Sequence, residues 1–147
     1  MDYKFYGWNT PEVKPINKKY NKIKSQRDLY DILSTIWCKD TCAPRMQDRW
    51  TSDNKTLGQC SITAFLVQDI FGGDVYGVRL DDGNYHCYNI VNGIKFDLTS
   101  EQFDHELIYD DKYEQKRDDH FSKLEKYERY KYLSKKLDEY LDGSEEL

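Results

Sequence analysis

Residues 56–102 read TLGQCSITAFLVQDIFGGDVYGVRLDDGNYHCYNIVNGIKFDLTSEQ, and the fold turns on how this stretch is parsed. After Gly58 and Gln59, the segment Cys60–Phe71 is apolar on almost every side and stops at Gly72-Gly73. That length and that stop predict a helix, and a helix apolar on most faces belongs at the centre of a domain. Two short β-prone runs follow, residues 74–80 and 86–91, joined through Asp82-Gly83. A third run, 94–99, follows Asn92-Gly93. Both dipeptides are hairpin turn signals, so the expectation is a three-stranded antiparallel meander. A buried helix on a small antiparallel sheet makes the chain α+β.

Working outward, Ser25 is a good N-cap for a helix whose stripe is Leu29, Ile32, Leu33 and Ile36, ending near Cys38 or Lys39. Residues 39–57 carry Pro44 and the polar run TSDN and read as a long loop, with Trp50 as its packing anchor. Residues 1–24 lack periodicity and contain Pro11 and Pro15, which makes them an arm that lays Tyr6 and Trp8 on the domain. Beyond the meander, Thr99 and Gln102 stand at capping-box spacing for a new helix. Residues 104–120 are acidic and irregular. From Ser122 a helix with Leu124, Tyr127, Tyr130, Leu133, Leu137, Tyr140 and Leu141 on its apolar side runs to about Leu141, with Gly143 as its stop and GSEEL as a frayed end. The expected organisation is therefore an arm at 1–24, one core domain at 25–121, and a C-terminal helix and tail at 122–147.

The chain has 147 residues, enough for one domain. A third of the residues are charged, with the signs mixed and a net charge of -5, and the mean hydropathy is -0.93. No basic excess is present to attract a phosphate backbone, which argues against nucleic acid as a partner. No run has the ~18 apolar residues of a membrane span and the N-terminus lacks an apolar signal core, so the expectation is a cytoplasmic protein with no membrane role. In a reducing compartment, Cys38, Cys42, Cys60 and Cys87 are expected as free thiols.

One Cys, one His and one Asp fall at the ends of neighbouring elements in the opening stretch. Cys60 opens the buried helix, where unpaired backbone N–H groups lower a thiol's pKa and can bind an oxyanion. His86 opens the second strand. Pairing centred on Asn92-Gly93 sets Val91 opposite Ile94, and Asp97 then falls two residues from the position across from His86, on the same face. A carboxylate on one imidazole nitrogen leaves the other for the thiol. Each residue also has a plainer reading: a packed small Cys, a strand-end His, an Asp bonded to nearby backbone. A zinc site from Cys38, Cys42, His86 and Cys87 is the other sharp alternative. Its spacing does not match known knuckles, and adjacent His86 and Cys87 point to opposite faces of a strand. His105 and His120, in polar acidic segments, read as surface residues. No cofactor and no metal are expected.

Gly58-Gln59-Cys60, the apolar helix ending in Gly72-Gly73, His86, Asn89 and the run from Phe96 to Phe103 resemble the YunG-like family of small bacterial proteins, and Pro44 and Trp50 fit the same pattern. The order Cys, His, Asp on helix, strand and strand looks like the transglutaminase-like branch of the papain-like fold. Members of that group cleave, deamidate or transfer acyl groups, and some have lost activity. The resemblance implies Cys60 as nucleophile, His86 as base and Asp97 as its orienter, with Gln59, Trp50 and Asn89 supporting the oxyanion site or pocket. It implies a thiol-dependent hydrolase or acyltransferase acting on a peptide or small-molecule amide or thioester. The alternative is a catalytically inactive binding module on the same scaffold, using the aromatic arm and the amphipathic tail helix. The arm and the C-terminal helix are departures for which the resemblance gives no account.

Overall fold

The computed structural model describes residues 4–145. It is α+β, with four α-helices and one four-stranded antiparallel sheet among those residues. The first helix, α1, spans Gln26–Ser34, and the Ser25 hydroxyl accepts from the Asp28 N–H as an N-cap should. It ends four residues short of Cys38. Helix α2 is Cys60–Phe71, and Gly72 at φ 83° closes it, a conformation that glycine adopts without steric cost.

The strands are β1 (Asp74–Arg79), β2 (Tyr85–Val91) and β3 (Ile94–Phe96). Asn92 (φ 52°) and Gly93 (φ 78°) make the tight turn between β2 and β3, and Val91 pairs with Ile94. The third strand is shorter than its sequence run. At Asp97 the carboxylate turns back to accept from the Thr99 N–H at 3.1 Å, an Asx turn that ends the extended run. The Asp97 N–H donates to Tyr6 O at 2.9 Å, so the arm takes over the pairing there. A fourth strand, β4 (Tyr113–Glu114), pairs with β1 at the far edge and gives the order β3-β2-β1-β4. It lies within the acidic segment expected to be irregular.

Three other expectations are corrected. Residues 39–57 are no featureless loop but three 3-10 turns, Lys39–Thr41, Pro44–Arg49 and Ser52–Asn54. Thr99 does not cap a helix. Only a 3-10 turn, Ser100–Gln102, follows it, and the Gln102 side chain donates to the Thr99 carbonyl at 2.9 Å. The C-terminal helix is preceded by a short helix, α3 (Arg117–Phe121), and itself, α4, runs Leu124–Glu145 straight through Gly143. The end expected to fray thus begins inside α4, and its last two residues lie outside the described residues.

The main apolar core joins α1, α2 and α4 with the arm, and a smaller cluster of Ala64, Phe65, Val75 and Cys87, with Phe121 packed on it, lies between α2, the sheet and α3. Leu29 and Leu33 of α1, Ile62 and Leu66 of α2, and Leu133 and Leu137 of α4 are buried together. Leu133, Leu137 and Leu141 of the tail helix are covered by its own chain, whereas Leu124, Tyr127 and Tyr140, expected on the same apolar side, are exposed. The arm belongs to the same core: Phe5, Val13, Tyr20 and Ile23 are all buried in it, whereas Trp8, expected to pack, is 44% exposed. Helix α3 is held on α2 by Arg117, which pairs with Asp69 at 2.7 Å and donates to Phe65 O at 2.9 Å.

Candidate active site

Cys60 stands at the first position of α2 because the chain before it is pinned on three sides. Gly58 sits at φ 71°, where a Cβ would meet Cys42 Sγ at 2.5 Å. Its carbonyl accepts from the Ala43 N–H at 2.9 Å, and the fully buried Gln59 donates from Nε2 to Cys38 O at 3.1 Å. Gln59 precedes the helix without a side-chain capping bond, so the first-turn N–H groups keep their partial positive charge at the thiol.

His86, on β2 opposite Val78, is 1% exposed. Its Nε2 lies 2.6 Å from Asp97 Oδ2, which leaves Nδ1 on the thiol side. Four donors meet the Asp97 carboxylate: His86 and the Tyr109 hydroxyl (2.7 Å) on Oδ2, and the Thr99 N–H and hydroxyl (3.1 and 3.2 Å) on Oδ1. Burial first, and then the Asp97 charge, push the Tyr109 hydroxyl up, so it stays a donor. Tyr6 of the arm packs on Tyr109 at a tilt of 59° with ring centroids 3.9 Å apart, and Phe103 meets the His86 ring edge-to-face at 4.8 Å. The imidazole is thus fixed at both its hydrogen bond and its face.

The electrostatics follow from these contacts. Burial alone pushes the His86 pKa down, but the charge and hydrogen bond of Asp97, then Cys60, raise it from its ordinary 6.5 to about 10. A hydrogen bond with Cys87 is the largest influence on the Cys60 thiol. With the hydrogen bond and charge of His86, it holds the thiol well below its usual range, against burial. Cys87 moves the opposite way for the same contact, pushed well up by Cys60 and by burial. The contacts favour the charged forms of Cys60 and His86 as a pair, with Cys87 as the neutral S–H donor.

Cys60 is half-buried and, with His86, lines an open cleft of about 850 Å³. The other walls come from the 3-10 turn at 44–49, from Phe103, and from α3 and α4. Asp97 lies behind His86, outside the cleft lining. The three support residues are placed elsewhere. Gln59 is tied to the Cys38 carbonyl, and Asn89 donates to Ala64 O at 2.9 Å, fastening β2 to α2. Trp50 donates from its indole to Lys55 O at 2.9 Å, inside its own loop. None of the three lines the cleft; they act on position alone.

Sequence reasoning missed Tyr109, Cys87 and the α3–α4 wall. It set Cys87 aside because alternation turns it from His86, yet the Cys60 end of α2 sits over the start of β2 and meets both. His120 is not a surface residue: it is half-buried against Phe65, with ring centroids 5.1 Å apart. His105 is exposed, paired with Asp104 at 2.7 Å. No group of three or more His, Cys, Asp or Glu among the described residues is placed to hold a metal ion, and no described helix is long and apolar enough to cross a membrane.

Comparison with known proteins gives a family and no fold precedent. The profile of the YunG protein family matches residues 25–142. A Bacillus subtilis (strain 168) protein described as uncharacterized protein YunG is 37% identical over 78 residues, covering 53% of this chain and 63% of that protein. The similarity therefore spans less than two thirds of that relative's length. No solved structure matches the chain.

Proposed function

The chain belongs to the YunG family, and from that premise we propose that it is a cysteine-dependent acyl-transfer enzyme, a hydrolase or acyltransferase of amides or thioesters with a transglutaminase-like, papain-like arrangement. The observation that carries this reading is the 2.6 Å bond from His86 Nε2 to Asp97, which leaves Nδ1 for the Cys60 thiol at a helix N-terminus. The order of the elements, helix, strand and strand, supports it as well.

In this mechanism the Cys60 thiolate attacks the carbonyl carbon of the substrate, and the carbonyl π electrons move onto oxygen. The backbone N–H groups at the start of α2 hold that oxyanion. The pair then returns, the bond to the leaving amine or thiolate breaks, and the His86 imidazolium gives its Nδ1 proton to the leaving group. Water or an acceptor amine attacks the carbonyl carbon of the Cys60 thioester, with neutral His86 taking its proton, and collapse of that intermediate breaks the carbon–sulfur bond and restores the Cys60 thiolate beside the imidazolium. Asp97 keeps the ring oriented and stabilises the imidazolium.

Incubation with p-nitrophenyl acetate tests the reading. A nitrophenolate burst with one acetyl group on Cys60, located by peptide mass spectrometry, is expected. His86→Ala should slow the burst by about 10²–10⁴-fold, the usual worth of acid–base catalysis. Equal nitrophenolate release from wild type and Cys60→Ala would contradict it.

A further inference from the structure

We propose that the cleft beside Cys60 takes a substrate carrying an anionic oxyacid group, a carboxylate or a phosphate, near the carbonyl that the thiol attacks. This names a substrate class for the thiol reading above and rests on it. Five basic side chains line the cleft, Arg45, Arg49, Lys123, Lys126 and Arg129, against two acidic ones, Asp82 and Glu125. In a protein of net charge -5 this is a local reversal of sign. Glu125 is already paired with Arg129, which also donates to Thr41 O at 3.1 Å. Among the described residues, Arg45, Arg49, Lys123 and Lys126 make no ion pair with a carboxylate, although Lys19, Lys95, Lys116 and Lys131 elsewhere all do. The cations also come from two separate segments, the 3-10 turn at 44–49 and the start of α4, that line the same cleft as the thiol.

Lys126 is the best-placed of them. It is half-buried, and its Nζ lies 2.9 Å from His120 Nδ1, while His120 Nε2 lies 2.9 Å from Gln115 Oε1. Burial, helped by Lys126, pushes His120 down to about 4, so at neutral pH its ring accepts from Lys126 and donates to Gln115. His120 thus orients the ammonium without offering a counter-charge. Burial holds the Lys126 pKa below its ordinary value even against the opposing pull of Cys87 and Cys60. A partly desolvated cation of this kind gains from an anion entering the cleft, and the two guanidinium groups offer paired donors that match an oxyacid.

The test compares two alkylating agents at Cys60, anionic iodoacetate and neutral iodoacetamide, with glutathione as reference. The absolute iodoacetamide rate reports the thiolate, and the ratio of the two rates reports the charge of the cleft. A failure of the thiol reading is therefore seen separately from a failure of this one. At low salt the iodoacetate-to-iodoacetamide ratio at Cys60 is expected about tenfold above that of glutathione, as electrostatic focusing in a charged cleft would give. It should fall toward the glutathione value at ~1 M salt, where screening acts within about 3 Å, and also in Arg45→Gln/Arg49→Gln and in Lys126→Gln. A ratio equal to that of glutathione at low salt, unmoved by salt and by these substitutions, overturns the proposal. With the ratio raised, protection of Cys60 from iodoacetamide by succinate or by inorganic phosphate at matched ionic strength tells carboxylate from phosphate.

Discussion

Cys60 and Cys87 carry the same thiol, yet their surroundings drive them apart. Cys60 sits at a helix start with an imidazole beside it, while Cys87 lies on β2 under Ala64, Phe65 and Val75. Because the Cys60 pKa is depressed, thiolate is present above that low value and is lost only as pH falls through it. The alkylation rate of Cys60 should therefore stay on its plateau well below 9.0, the ordinary thiol value, and drop as pH falls through the depressed value. His86→Ala and Cys87→Ala should each move the midpoint of that profile upward, read from iodoacetamide rates against pH. Turnover has an upper limit as well. The imidazolium that protonates the leaving group is lost above about 10, so turnover should fall there while alkylation does not. At this scale the sequence made the approach of His86 to Asp97 legible, because a tight turn fixes which residues face each other. It did not show Tyr109, which reaches Asp97 from a segment with no periodic pattern, or His120, whose burial depends on packing against Phe65.

The helix that carries Cys60 owes its position to what precedes it. Gly58→Ala puts a Cβ against Cys42 Sγ and the Ala43 nitrogen at a left-handed φ, so it should both lower stability and shift Cys60. A fall in denaturation midpoint together with slower Cys60 alkylation is the expected signature. Helix α4 matters for a different reason. Leu133 and Leu137 are fully buried, and replacing either by Ala should cost about 2–5 kcal/mol, read by urea unfolding. Elements with a strong period or a strong turn were readable: α1, α2, α4 and the two hairpins. The two-residue β4 and the 3-10 turns were not, since neither repeats long enough to leave a pattern in the chain.

For the molecule as a whole, the described part of the arm, residues 4–24, contributes to the core. Phe5, Val13, Tyr20 and Ile23 are spaced without any period, and their contacts are to residues far away in sequence, which is why local pattern reading left them as a wrapping segment. Phe5→Ala should destabilise the entire fold by about 3–5 kcal/mol in one cooperative transition. Loss of the arm would also remove Tyr6 from Tyr109 and thereby loosen Asp97. In the proposed function this whole framework holds one activated thiol, Cys60. Four free cysteines make it testable in the intact protein, because Cys38 is half-buried like Cys60 and serves as its control for access. The measurement is competitive labelling of native protein with limiting iodoacetamide near pH 6, with each cysteine quantified by peptide mass spectrometry. The account predicts that Cys60 is labelled well ahead of Cys38, Cys42 and Cys87, and that His86→Ala abolishes the lead. Labelling of Cys60 no faster than Cys38 would contradict it.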